Sequence, residues 1–382
     1  MKRIFSLVLC LTLLLCACQN PPQAPAATTV PTTAAAEIPT AAPTEAPTLP
    51  ETEPTEAPTE APTEAPTEPA VLYRHPLTGM PLDAPMTARP VAVVINNTPA
   101  AQPLMGIGSA DVFFEHVTEG GGSITRILGV FTDLERDFVI GSIRSARTYM
   151  LDMARAFRAP IVHCGGSTYA VENIRQTGYP SFNEFYYGQY FYRDSERLNA
   201  GYSREHTLMT TAAELYRGLL ENGFDLTAPE GSDYGLSFSE TPLPAGSTAS
   251  SICIRFFNDS GKTTTLTYDP QAGVYYGLQQ WSTRQEPLAD GNTGEPVPIK
   301  NVLILNVAIR FAGDGSHILS EMTGQGTGYF ACEGKYVPIY WFRESADQPF
   351  TYTLEDGTPI ALGIGKTYVA MRPTGSPDIV TE

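Results

Sequence analysis

Apolar and polar positions change their spacing from segment to segment along the chain. Ile4 to Leu15 is an apolar run too short to span a bilayer. Residues 19–70 have no period and repeat Pro-Thr-Glu-Ala from Pro54 to Thr67. From residue 71 the pattern is that of a folded body. Val91 to Ile95 are continuously apolar and end in Asn96-Asn97, which predicts a buried strand running into a turn. Asp111 to Val117, Ile124 to Thr132 and Phe138 to Ile143 predict three more strands. Between the first two lies Glu119-Gly120-Gly121-Gly122-Ser123, which reads as a hairpin turn. The spacing of Tyr149, Leu151, Met153, Ala154 and Phe157 is helical. Pro160 to His163 returns as a strand and Ser167 to Gln176 as a helix. Thr207 to Asn222 predicts a second helix, closed by Gly223. Residues 225–250, rich in Pro, Gly, Ser and Thr, form a connection. Beyond it, Ile252 to Phe257, Thr263 to Tyr268, Val274 to Leu278, Val302 to Ile309, Tyr336 to Phe342 and Lys366 to Met371 read as strands. The expected fold is an α/β N-terminal domain over 71–224, a mixed sheet with helices, followed by a mostly-β domain over 251–375.

Charge changes the picture at the N-terminus. Lys2 and Arg3 precede the apolar run, and Leu15-Cys16-Ala17-Cys18 follows it, the pattern of a bacterial lipobox. Residues 1–17 are therefore expected to be a lipoprotein signal peptide, with Cys18 as the lipidated residue of the mature chain. Residues 18–70 would be its stalk: from 19 to 70 there are eight Glu, 13 Pro and no Lys or Arg. Such a stretch buries too little apolar area to order itself, and its prolines favour extended polyproline II. The rest of the chain, 71–382, has 33 acidic and 22 basic residues, a net charge of −11. An acidic body argues against nucleic acid as a partner. Three scattered cysteines, Cys164, Cys253 and Cys332, make no disulfide framework and no zinc spacing, with a Cys253–Cys332 bridge as the minor alternative to buried thiols. No metal site and no cofactor motif is read.

Candidate chemistry gathers in the first half. Arg144 and Arg147 flank a strand-to-helix turn, where free backbone N–H groups favour an anion. Arg126 lies inside an apolar strand expected to pair with the 138–143 strand. It is either the third member of an electropositive pocket or a buried charge in need of a carboxylate, for which Glu115 and Glu119 are available, with Arg126–Glu115 as the structural ion pair. His163-Cys164-Gly165-Gly166-Ser167 is another strand-to-helix turn. Gly165 and Gly166 would let a ligand approach the backbone, and Ser167 is either a nucleophile or, more simply, a helix cap. His163 and His206 are candidate acid–base groups. The aromatic run Phe185 to Tyr192 could line a groove or pack over the core, with Arg193 beside it.

Several of these stretches occur in the order seen in one family. Arg89-Pro90 through Asn97, Ser109 to Val112, Glu115, Gly121 to Arg126, Gly141 to Arg147, His163 to Ser167, Asn301-Val302 and Gly326-Thr327-Gly328 leading to Trp341 together resemble the YerB-like lipoproteins, a domain of unknown function in two parts. The resemblance spans nearly all of 74–373. It implies an extracytoplasmic, lipid-anchored protein and carries no established activity. The expected function is thus a membrane-anchored protein binding an anionic cell-envelope ligand or a partner protein through Arg126, Arg144, Arg147, Gly165, Gly166 and Glu115. The alternative is an enzyme acting on envelope phosphodiesters or glycans with an Arg/His site.

Overall fold

The computed structural model describes residues 73–119, 124–243, 245–256 and 261–381. The signal peptide expected at 1–17, Cys18, the stalk at 18–70 and the glycine turn at 120–123 lie outside them.

A mixed sheet organises both halves. Its path runs Ser247–Thr248, Lys335–Arg343, Gly324–Cys332, Asn301–Phe311, Thr367–Pro373, Val112–Val117, Thr125–Phe131, Val91–Asn97, Ile161–His163, Ser181–Asn183. Val91 to Ile95 are buried throughout, as their unbroken apolar run requires of a strand covered on both faces. The halves on either side of 225–250 meet where Thr367–Pro373 pairs in parallel with Val112–Val117. The helix Thr148–Ala156 packs on the sheet beside the helix Thr168–Thr177 and the strand Ile318–Glu321. A second, five-stranded antiparallel sheet is built from Gln285–Pro287, Val274–Gln280, Thr263–Asp269, Ser251–Arg255 and Val380–Thr381. One apolar cluster reaches from Leu77 to Met371 through both halves.

Two expectations are corrected. The helix expected over 207–222 begins only at Ala212, after a strand Leu208–Thr211. Thr211 ends that strand by accepting a hydrogen bond from Glu214 N at 3.1 Å, which caps the helix. Val139–Gly141 pairs with this Leu208–Thr211 strand and not with the strand carrying Arg126. Cys253 and Cys332 are both free thiols, so the minor bridge is not formed. A long strand, Gly324–Cys332, also goes unread in the sequence, because its alternate glycines imitate a turn.

Candidate functional site

The site is built on the turn Ile143 to Arg147, which leaves the sheet between two neighbours. Ile143 N donates to Leu208 O at 2.8 Å and Arg144 N to Val94 O at 3.0 Å. The turn after Ile161–His163 is laced to it: Cys164 N donates to Arg144 O, Ala146 N to Gly165 O and Ser167 N to Ala146 O, at 3.0–3.1 Å. Both strand-to-helix turns singled out in the sequence are therefore one locus. The three arginines divide between two carboxylates, Arg126 and Arg147 facing Glu119 and Arg144 facing Glu205.

Arg126 and Arg147 point the same way and are largely spent on the fold. Arg126 Nη1 donates to Ser145 O at 2.7 Å, and Arg147 Nη1 donates to Ala146 O at 2.9 Å. Glu119 takes the rest: it is hydrogen-bonded to Arg147 Nε and lies 3.9 Å from Arg126 Nη2. Burial would raise the Glu119 pKa, but hydrogen bonds from Arg147 and Thr118 overcome it and hold it down to about 2. Burial, reinforced by Arg147, brings Arg126 down to about 10. His317 reaches this rim from the second half, its Nε2 3.8 Å from Glu119 Oε1 and its Nδ1 2.6 Å from Asp314 Oδ2. Neither His317 nor Asp314 stands out in the sequence, since nothing near residue 119 in the chain points to a hairpin two hundred residues on.

Arg144 turns to Glu205 instead. Its Nη1 donates to Glu205 O at 3.1 Å and lies 3.8 Å from the Glu205 carboxylate, while its Nε has no hydrogen-bond partner among the described residues. Arg193, donating to Arg204 O at 2.9 Å, lies 3.9 Å from Glu184, which accepts from the Cys164 thiol at 3.3 Å. Burial, then Glu184, pushes that thiol up to about 11, which disfavours the nucleophilic thiolate. Phe185, whose ring lies over Gly165, is 70 % exposed, and the next residue, Tyr186, is 78 % exposed.

Glu115 is not the partner of Arg126. Across the paired strands Glu115 faces Ile127 and His116 faces Arg126, so alternation sends Glu115 and Arg126 to opposite faces. Glu115 is fully buried against Lys262, and it also accepts from Asn97 at 2.9 Å and Tyr368 at 2.7 Å. No ligand reaches it there. His163 is buried, its Nδ1 donating to Gly165 O at 2.6 Å and its Nε2 accepting from Ser181 at 2.7 Å; burial lowers its pKa to about 4. Ser167 Oγ accepts from Ala170 N at 3.2 Å and caps the helix. Gly165, at φ +61°, is roofed by Phe185, whose ring would lie 3.1 Å from a Cβ there, and a Cβ at Gly166 would touch Val171 at 3.2 Å. The glycines thus serve packing. His206 accepts from Asn96 at 2.9 Å and lies 3.4 Å from Glu205; burial lowers its pKa.

Residues 77–225 match the N-terminal domain, and residues 252–369 the C-terminal domain, of the protein of unknown function DUF3048. The chain is 25 % identical over 305 residues to YerB of Bacillus subtilis (strain 168), whose name carries a provisional lipoprotein designation; the match covers 78 % of this chain and 86 % of the relative. The crystal structure of the Bacillus subtilis YerB protein has the same fold, with a TM-score of 0.68 at 24 % identity over 81 % of this chain and 99 % of that one. With both matched domains in order and the fold shared, the chain belongs to the DUF3048 family, the YerB-like lipoproteins.

Proposed function

We propose that the protein is a binding lipoprotein, anchored through Cys18 to the outer face of the cell membrane, whose Arg144 locus holds an anionic cell-envelope ligand. The observation that carries this reading is the Arg144 guanidinium, its side chain 24 % exposed, which bonds the Glu205 carbonyl while Arg193 bonds the adjacent Arg204 carbonyl, with the exposed Phe185 over Gly165. A partly exposed guanidinium takes a phosphate or carboxylate oxygen, and an exposed ring takes the apolar face of the attached group. Arg126 and Arg147 contribute field more than contacts, because both are nearly enclosed and already face Glu119. An enzyme reading draws less support: His163 is enclosed and neutral, Ser167 is a cap, and the Cys164 thiol is held protonated.

Titration of the detergent-solubilised protein with a glycerol-phosphate polymer tests the site. Arg144→Ala is expected to weaken binding by about 1.5–3 kcal/mol, the size of a charged hydrogen bond. Wild-type protein that does not bind, or a variant that binds equally well, sinks the proposal. Cys18→Ala is expected to abolish metabolic lipid labelling, and persistent labelling would remove the anchor.

A further inference from the structure

The motif Gly326-Thr327-Gly328, with Trp341 after it, has no part in the arginine locus. It lies in the strand Gly324–Cys332, which pairs with Lys335–Arg343, which in turn pairs with Thr351–Thr353. The register puts Gln325 opposite Phe342 and Phe342 opposite Thr351, and Thr327 opposite Tyr340 and Tyr340 opposite Thr353. Residues directly opposite share a face, so these six side chains form two parallel rows on one side of the sheet. Two aromatic rings occupy the centre, about 7 Å apart along the strand. An amide and three hydroxyls flank them. Tyr340 is 46 % and Phe342 51 % exposed.

The opposite face explains why the rings stay up. Trp341 is buried there, its Nε1 donating to Asn306 O at 3.1 Å and its ring edge-on to Phe350 at 5.8 Å. A Cβ at Gly326 would lie 2.5 Å from that ring, and one at Gly328 would lie 2.4 Å from Ile304 O. The glycines let Trp341 lie flat and the strands close up. Tyr340 and Phe342, its neighbours in the strand, are thereby held outward on a rigid support. Asn306 Nδ2 donates to Thr327 Oγ1 at 3.0 Å, so that hydroxyl keeps its proton to donate outward.

We infer that this face is a binding platform for an uncharged glycan, the occupant that stacks pyranose faces on Tyr340 and Phe342 and shares its hydroxyls with Gln325, Thr327, Thr351 and Thr353. Charge selects the class. All six platform side chains are neutral, and the rim contributes Glu355, on a chain of net charge −17, so an anionic polymer finds no cation among the described residues that line the cleft and is repelled. Size agrees: the cleft holds about 590 Å³, within the roughly 300–1,000 Å³ of small-ligand clefts. A protein partner needs on the order of 800 Å² on each side, more than six side chains provide. Flat rings left half-exposed among hydroxyls suit a sugar ring, which has an apolar face and a polar edge.

The test is isothermal titration of the full chain in detergent with chitotetraose, cellotetraose and maltotetraose, with Trp341 emission recorded alongside. Binding of at least one of them is expected, with Tyr340→Ala and Phe342→Ala each weakening it tenfold or more while the melting temperature holds, since both rings are exposed. Arg144→Ala should leave this binding unchanged, which separates the platform from the arginine locus. Wild-type protein that binds none of the three at millimolar concentration, or alanine variants that bind as well as wild type, overturns the inference. Self-association in sedimentation that Phe342→Ala abolishes would assign the face to a second copy and overturn it too.

Discussion

Glu115 and Glu119 stand four residues apart and end in opposite situations. Glu115 lies in the strand Val112–Val117, turned toward the second sheet, dry and paired with Lys262 under hydroxyl and amide donors. Glu119 lies just past the strand end, partly solvated, and gathers Arg147, Arg126 and His317. Both look alike in the sequence as acids beside a candidate arginine. The difference is dielectric. In the dry pair neither ion can be lost without stranding the other, so that network belongs to the fold. At the rim water screens what is removed, and the charges remain free to respond to pH and to salt.

The largest effect should come from the dry pair. Lys262→Met leaves the Glu115 carboxylate buried without its cation and is expected to cost about 3–5 kcal/mol in urea denaturation. Glu115→Gln added to Lys262→Met removes the stranded charge while keeping an acceptor for Tyr368 and Asn97, and should recover more than half of the loss. A single variant costing under about 1 kcal/mol would show that the pair is not dry and would erase the contrast with Glu119.

Next come the enclosed histidines. His116, beside Glu115, stacks on Tyr149 at 4.0 Å, donates to Val117 O at 2.6 Å and accepts from Ser320 at 2.9 Å. Burial lowers the pKa of both His116 and His163 to about 4. Their ordinary value is 6.5, so unfolding takes up protons between pH 6.5 and 4. The stability they lend is complete above pH 6.5 and is lost as the pH falls toward 4, on the order of 3 kcal/mol each. Melting curves across that window read the slope. A flat profile would mean that these rings are hydrated and that the inner face is not dry.

Glu119 should titrate in a lower window. Its pKa of about 2 lies below the ordinary 4.5, so its contribution is present above pH 4.5 and fades as the pH drops toward 2. Glu119→Gln is expected to cost about 1–2 kcal/mol at neutral pH, since it leaves Arg126 and Arg147 facing one another, and to flatten the acid limb below pH 4.5. An unchanged acid limb would assign that window to other carboxylates and remove Glu119 from the account.

How far the sequence revealed this contrast depended on range. Val91–Ile95 was legible because a strand covered on both faces needs an unbroken apolar run, and the helix Thr148–Ala156 because one face is apolar at helical spacing. The Glu115 partner was not legible: Lys262 is 147 residues away, and only strand register shows that Glu115 and Arg126 part company. Gly324–Cys332 failed for the same reason. Its glycines answer to Trp341 and Ile304 on neighbouring strands, and local propensity reads them as a turn. The strand-to-helix turns at 143–147 and 163–167 were found correctly, yet which arginine stays open to solvent was decided by the carbonyls and carboxylates around it.

The smallest expected effect is at His317, and it sharpens the comparison most finely. The ring is tied to Asp314 within its own hairpin, reaches Glu119 at 3.8 Å and lies edge-on to Tyr169 at 6.2 Å. A contact of that length between partly exposed groups contributes about 0–1 kcal/mol and fades as salt rises. His317→Ala should therefore shift stability by no more than about 0.5 kcal/mol at low salt and by nothing measurable at 1 M salt, because Arg147 still neutralises Glu119. A double-mutant cycle with Glu119→Gln isolates the pair, and its coupling energy should be a small fraction of that between Glu115 and Lys262. A His317→Ala loss as large as that of Glu119→Gln, undiminished by salt, would show the rim behaving as a buried network and would make the two glutamates alike after all.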